Sequence, residues 1–325
     1  MDLYLKNLYN FDRQLEDGAL TATRPEKLKR GGRPDAIVVV GMGGSGLAGE
    51  LLKSLRSTIG LPAPIEIAKG PKLPNLPFKR PLYVFVSFSG NTQEVIDALR
   101  ETLRKKGREI GIVTTGGGLA SIANKKGLPL VTMPQGDLTP REALGYTYSA
   151  LKKLLLAQFP EIKRFKAPAF RYQLPDRLGK SIARKLKDKT TLLYSREEDA
   201  HLTYIWKAAL NETGGVPAFR NTFPEVAHNE IVGFESRMSK PTYILFLAPP
   251  SFKTDKLSKS LRVFLRIAKS RGIDSGVIPI PGRNAEEVTW STHLLAHFTA
   301  YHLAKISGKN PIKTKLINEF KRQTS

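Results

Sequence analysis

An apolar run that ends in a glycine-rich turn and continues with helical spacing occurs twice early in the chain, and it restricts the fold to a βα architecture. Val38-Val39-Val40 leads straight into Gly41-Met42-Gly43-Gly44-Ser45-Gly46, and residues 82–86 lead into Ser87-Phe88-Ser89-Gly90-Asn91-Thr92. Short, wholly apolar runs bounded by turns are strands buried on both faces, and such strands belong to parallel sheets covered by helices. The turn chemistry also narrows the ligand. Backbone N–H groups at a helix N-terminus converge on an anion, and nearby hydroxyls add donors. Gly44, Ser45, Ser87, Ser89 and Thr92 are therefore candidates to hold a phosphate monoester.

The alternation continues. Strands are predicted at 35–40, 65–68, 82–86, 109–114 and 130–133, and helices at 46–57, 91–105, 119–124 and 141–157. Leu47, Leu51 and Leu55 line one helical face, as do Val95, Leu99 and Leu103. Residues 159–175 carry Pro160, Pro168 and Pro175 without a clean period and read as a linker. Beyond them, strands at 191–194, 219–223, 242–247 and 276–280 alternate with helices at 197–212, 225–232 and 257–271, and helices at 285–306 and 312–321 follow. The fold class is α/β: two doubly wound parallel-sheet domains, αβα sandwiches spanning 1–158 and 176–325, joined by the linker 159–175. A length of 325 residues fits two domains of roughly 150 each. Ligands of such sheets bind at the carboxyl ends of the strands, where both turns lie.

Composition excludes several classes. The chain has no cysteine, which removes disulfides and thiolate chemistry. No apolar run approaches the ~20 residues that span a bilayer, and residues 1–13 lack the apolar core of a signal peptide; a cytoplasmic protein that does not bind membranes is expected. The net charge is +23. The basic residues are spread along the chain, with the densest runs, Arg104-Lys105-Lys106 and 185–189, at expected helix C-termini, where the dipole favours cations. A solvated surface attracting anionic metabolites is preferred over a nucleic-acid interface.

Two other readings of the turns compete with a phosphate site. Gly41-x-Gly43-x-x-Gly46 matches a dinucleotide fingerprint, which also wants an acidic residue at the end of the next strand; Glu66 stands instead in mid-strand. Alternatively, Asn91 and Thr92 only cap the following helix, with Glu94 in its first turn. The hydroxyl-rich first turn and the Ser-x-Ser-Gly-Asn-Thr element together resemble the sugar isomerase (SIS) fold, which binds phosphosugars. Two such domains in one short chain resemble the bifunctional phosphoglucose/phosphomannose isomerases of archaea.

The second half carries Asn211-Glu212-Thr213-Gly214-Gly215 and Pro224-Glu225-Val226-Ala227-His228-Asn229-Glu230. Aldose–ketose isomerisation needs a base that moves a proton between C2 and C1, an acid/base for ring opening and a cation for the enediolate. Glu212, His228 and Arg141 are of the right types. The resemblance implies those roles: the glutamate of an Asn-Glu element as base, the histidine 16 positions later as ring opener, and the arginine of Pro140-Arg141 beside the enediolate. It also implies that Lys321 contacts the sugar beside the histidine, and that Thr314 accommodates mannose 6-phosphate, with Thr299 a competing candidate. It implies a homodimer in which the histidine comes from the partner chain, and no cofactor. Thr213-Gly214-Gly215 departs from the Asn-Ala-Lys of the family pattern. His293 and His297 share a helical face but lack a third ligand for a metal. A non-catalytic phosphosugar sensor is the rival reading, without a use for the Glu212/His228 pair.

Overall fold

The computed structural model describes residues 2–105, 107–163, 170–236, 241–254 and 257–324. The chain divides into two compact units, Asn10–Ala169 and Phe170–Ser325, the latter completed by Met1–Tyr9. The short helix α1 (Leu3–Leu8) therefore belongs with the second half of the chain, whereas the sequence placed residues 1–9 in the first domain. Its apolar residues, Tyr4 and Leu8, are buried.

The unit Asn10–Ala169 is built on one six-stranded sheet. In chain order its elements are β1 (Thr21–Thr23), β2 (Ala36–Gly41), α2 (Gly43–Ser54), β3 (Ile65–Ala68), β4 (Pro81–Ser87), α3 (Gln93–Arg104), β5 (Glu109–Thr114), α4 (Gly117–Lys126), β6 (Leu130–Thr132) and α5 (Leu144–Leu155). The strand order is β1-β6-β5-β4-β2-β3, parallel throughout except for β1, an antiparallel edge strand that the sequence reading lacked. Alternation along each strand sorts the helices between the faces. Val38, Val40, Phe85 and Ile112 pack with Val95, Leu99, Leu119 and Ala123 of α3 and α4. The opposite face takes α2 and α5, so closely that a Cβ on Gly49 would lie 2.8 Å from Val39 Cγ1, and one on Gly111 2.6 Å from Leu154 Cδ2.

The unit completed by α1 has a four-stranded, wholly parallel sheet of order β10-β9-β7-β8. Its elements are α6 (Gln173–Leu186), β7 (Thr190–Arg196), α7 (Ala200–Ala209), β8 (Ala218–Phe223), β9 (Thr242–Ala248), α8 (Leu257–Ser270), β10 (Asp274–Pro279), α9 (Ala285–Ile306) and α10 (Lys315–Thr324). Tyr194, Ile244 and Phe246 meet Leu261 and Phe264 of α8 on one face, while α7 packs on β7 and β8 and against α9. No helix among the described residues is long and apolar enough to cross a membrane.

Several boundaries correct the sequence reading. Helix α2 starts at Gly43, not 46: glycine's poor helix propensity delays the sequence estimate, but the tight turn makes the glycines themselves the first helical turn. Helix α5 starts at Leu144, not 141, because Glu142 Oε2 accepts from Thr139 N (3.1 Å) and Oγ1 (2.6 Å) and ties up the preceding turn. Helix α6 begins at Gln173 inside the stretch read as a linker; Pro175 falls in its first turn, where a missing N–H costs nothing. The basic runs do end helices, with Arg104 in the last turn of α3, and Arg184 and Lys185 in that of α6.

Two histidines of the unit completed by α1 are buried neutral. Burial pushes His201 down to about 4 and His293 to about 3, against an unfolded value of about 6.5. Both folded values are depressed, so the unfolded chain binds more protons below pH 6.5 and stability falls as pH drops through that window toward 3. The expected slope is up to about 1.4 kcal/mol per pH unit for each group. In melting curves between pH 7 and 4, His293→Phe should show a shallower acid decline than the parent; an equal decline would refute the assignment.

Candidate functional site

In the unit Asn10–Ala169 the two glycine-rich turns meet. β2 and β4 are neighbours, with Gly41 opposite Val86, so both turns leave the sheet side by side. Gly41 and Gly46 close the first turn: a Cβ on Gly46 would lie 2.7 Å from Gly41 O. The N–H groups of Gly43 and Gly44 precede the first i→i−4 bond of α2 and so face outward as donors. Ser45 is buried, and its Oγ accepts from Phe88 N at 3.2 Å, which links the first turn to the second.

The second turn is organised by its own hydroxyls. Ser87 Oγ accepts from Gly90 N (3.1 Å) and shares a 2.8 Å bond with Thr92 Oγ1, while the exposed Ser89 accepts from Asn91 N (3.3 Å). Each serine oxygen thus takes a backbone N–H, which aims its own O–H elsewhere. Thr92 occupies the N-cap position of α3 but makes no capping bond with its side chain; its hydroxyl turns to Ser87. Asn91 Oδ1 is used by Gly118 N, at 2.9 Å, so neither residue caps α3 as the turn-only reading expected. The dinucleotide reading fares no better, because Glu66 pairs with Lys53 (3.0 Å) and the residue after β3 is the cation Lys69, paired with Glu50 (2.6 Å).

Gly90, at φ +69°, lies against the loop after β5, and Leu119 N donates to its carbonyl at 3.0 Å. Pro140-Arg141 reaches the first turn: a Cβ on Gly44 would come within 3.0 Å of Pro140 O and 3.7 Å of Arg141 N. Arg141 is itself buried, 7 % exposed. Gly44, Ser45, Ser87, Ser89, Thr92 and Arg141 are thereby gathered at the carboxyl ends of β2 and β4.

The second unit places Glu212 on a turn of unusual geometry. The helix predicted over 197–212 resolves into a 3-10 turn (Glu197–Asp199), α7, and a π-helical turn, Leu210–Gly214, with Glu212 at its centre. Such wide turns recur at functional sites. Three contacts secure it. Asn211 Oδ1 accepts from Ala218 N (2.8 Å) and its amide donates to Ala218 O (3.3 Å), as a strand neighbour would. Thr213 Oγ1 meets Tyr4 OH at 3.1 Å. Gly215 closes the turn at φ +64°, with Lys309 Nζ donating to its carbonyl; a Cβ there would lie 2.7 Å from Lys309 Cδ.

Glu212 lines a cavity of about 710 Å³ with Asn211, Lys309, Lys313 and Thr314. Of the two threonines considered for the sugar, Thr314 thus shares the cavity of Glu212, while Thr299 is buried in α9 with its hydroxyl on Leu295 O (2.7 Å). The side chain of Lys321 lies outside the described residues.

His228 is exposed and does not line this cavity. The helix predicted over 225–232 is instead two 3-10 segments, Glu225–Ala227 and Glu230–Glu235, which leave His228 between them. Val226 is fully buried, and Asn229 Nδ2 donates to Glu225 Oε1 (2.8 Å). Glu230 accepts from Tyr194 OH and Asn221 Nδ2, both at 2.6 Å. Burial first, then the Glu230 bond, push the Tyr194 phenol far above its ordinary value, so it remains a donor. The clamps Asn211, Lys309 and Tyr4 carried no role in the sequence reading; only Asn211, adjacent to the acid, had a local signature.

Comparison with known proteins bears on the family and the fold. Residues 176–323 match the family described as the bacterial phospho-glucose isomerase C-terminal SIS domain. The chain is 30 % identical to a bifunctional phosphoglucose/phosphomannose isomerase of Caldicellulosiruptor bescii over 89 % of either chain. It is 27 % identical to one of Aquifex aeolicus, over 88 % of this chain and 89 % of that one. The C-terminal domain of glucosamine-fructose-6-phosphate aminotransferase from Francisella tularensis shares the fold, with a TM-score of 0.70 at 16 % identity over 95 % of this chain and 98 % of that one.

Proposed function

Since the chain belongs to the bifunctional phosphoglucose/phosphomannose isomerase family, we propose that it interconverts glucose 6-phosphate and mannose 6-phosphate with fructose 6-phosphate through an enediolate. The observation that carries the reading is Glu212, held on a clamped π turn at the wall of a cavity large enough for a hexose phosphate. Gly44 N–H, Ser45, Ser87, Ser89 and Thr92 hold the phosphate. His228 and Lys321 open the ring, moving a proton from the C1 hydroxyl to the ring oxygen. Glu212 takes the C2 proton of the open-chain aldose and returns it to C1 while the O2 hydroxyl proton passes to O1, giving the ketose. Arg141 balances the charge that develops on the enediolate oxygens. The enediolate is planar at C2, so in the reverse direction a proton delivered to either face gives glucose or mannose 6-phosphate. Thr314, in the Glu212 cavity, provides room for both.

Two features support a homodimer with a shared site. His228 is exposed away from the Glu212 cavity, and apolar side chains are uncovered near it and on α10: Val232 (68 %), Leu316 (80 %) and Phe320 (68 %). A second copy of the chain would cover them and bring a histidine to the site. The substrates are charged sugar phosphates, which supports a cytoplasmic location.

The test is a coupled assay of fructose 6-phosphate formation from each aldose phosphate, with EDTA present. Turnover of both is expected. Turnover of glucose 6-phosphate alone would remove Thr314 from the assignment, and binding of phosphosugar without turnover would replace the isomerase by a sensor.

A further inference from the structure

We propose that Tyr4 is a positioning residue for Glu212, acting through Thr213; the inference rests on the assignment of Glu212 as the base. Tyr4 is fully buried although it stands in a six-residue helix. Its hydroxyl bridges two residues far away in the chain, Thr213 Oγ1 at 3.1 Å and His297 Nδ1 at 2.5 Å. The ring is sandwiched, parallel to Tyr301 (6.0 Å between centroids, 7°) and nearly so to His297 (6.1 Å, 22°).

The helix that carries Tyr4 is anchored at both ends. Asp2 caps it through Leu5 N (3.1 Å) and accepts from Tyr301 OH (2.9 Å), with Lys305 at 3.4 Å. At the other end Tyr9 OH donates to Asp176 (2.6 Å), which also meets His302. Tyr4 is therefore a fixed point, and its bond reaches the residue next to Glu212. A single phenol–histidine bond would satisfy the buried hydroxyl of Tyr4. The second bond holds Thr213, which is 2 % exposed, in one rotamer. Through the shared peptide it sets the backbone from which the Glu212 carboxylate projects. A π turn closes its hydrogen-bonded loop over one more residue than an α-helix, so its shape depends on the contacts that hold it, and misplacing a reacting group by about 1 Å costs roughly 100-fold in rate.

The experiment compares Tyr4→Phe, Thr213→Val, the double variant and Thr213→Ser in the full chain, with melting temperature, kcat and KM for fructose 6-phosphate. Tyr4→Phe keeps the ring and removes only the hydroxyl. We expect each of the first two to lower kcat about 10-fold with KM within about two-fold. The double variant should lose little more than either single, and Thr213→Ser should restore kcat. Unchanged kcat with a lowered melting temperature would overturn the proposal, as would full additivity of the two losses. If Tyr4→Phe fails to fold, Thr213→Val against Thr213→Ser decides alone: kcat lost and regained supports the proposal, and kcat equal in both overturns it. Glu212→Gln, run alongside, separates the two levels, because retention of more than about a tenth of kcat would remove the base itself rather than the residue that positions it.

Discussion

Glu212→Gln is expected to lower kcat by about 10³-fold while leaving KM for fructose 6-phosphate within about three-fold. Glutamine has the shape of glutamate but cannot accept and return a proton, so the loss falls on the transition state. Asn211 on Ala218, Thr213 on Tyr4 and Lys309 on Gly215 hold the turn without using the Glu212 carboxylate. The coupled assay, with a thermal melt of the same preparation, reads both effects. A variant that retains more than about a tenth of kcat would disqualify Glu212 as the base. Mixing this variant with His228→Asn extends the test to the shared site. If each site takes its histidine from the partner, random exchange of subunits restores about a quarter of parental activity, whereas a site made within one chain recovers none.

The second large effect is expected at Gly90. A Cβ at this position would sit 1.8 Å from Gly116 O and 2.7 Å from Thr114 Oγ1, and φ is +69°. Gly90→Ala must therefore push apart the two loops that carry Ser87, Ser89 and Thr92 on one side and residues 114–117 on the other. The cost is on the order of 3 kcal/mol or more of stability, and the phosphate donors lose their common geometry. kcat/KM should fall at least about 100-fold, mostly through KM. Gly136→Ala is the control: its φ is +44°, yet nothing lies within 4 Å of the added carbon. Should Gly90→Ala bind phosphosugar like the parent, the second turn would not be part of the phosphate site.

Much of the architecture is legible in the sequence because it is encoded locally. The strands 65–68 and 109–114 and the helix 285–306 have the same limits in sequence and structure, since β-branched segments between Pro or Gly turns, and a run free of Gly and Pro that opens on the cap Asn284, mark their own ends. The phosphate turns are legible for the same reason: donors and glycines stand next to one another in the chain. What stayed hidden depends on contacts across the chain. Pro175 looks like a breaker until its place in the first turn of α6 is known. The π turn cannot be told from an α-helical end by composition, and its geometry is enforced by Ala218, Tyr4 and Lys309. His228 lies between two 3-10 segments whose limits follow from the burial of Val226 and Phe234, not from a local period.

The helix α1 gives the molecule a history as well as a shape. Tyr4 is synthesised 293 residues before His297, an interval on the order of 15 to 60 s at ribosomal speed. The unit Asn10–Ala169 has all its residues before Tyr4 meets either of its partners. Folding domain by domain in order of synthesis is therefore open to Asn10–Ala169 but not to the other unit, whose opening segment must wait for its last long helix. The stretch that matches the C-terminal SIS-domain family, 176–323, is correspondingly smaller than the body that folds. A fragment cut at that recognisable boundary would carry Glu212 and leave behind the phenol that steadies its turn.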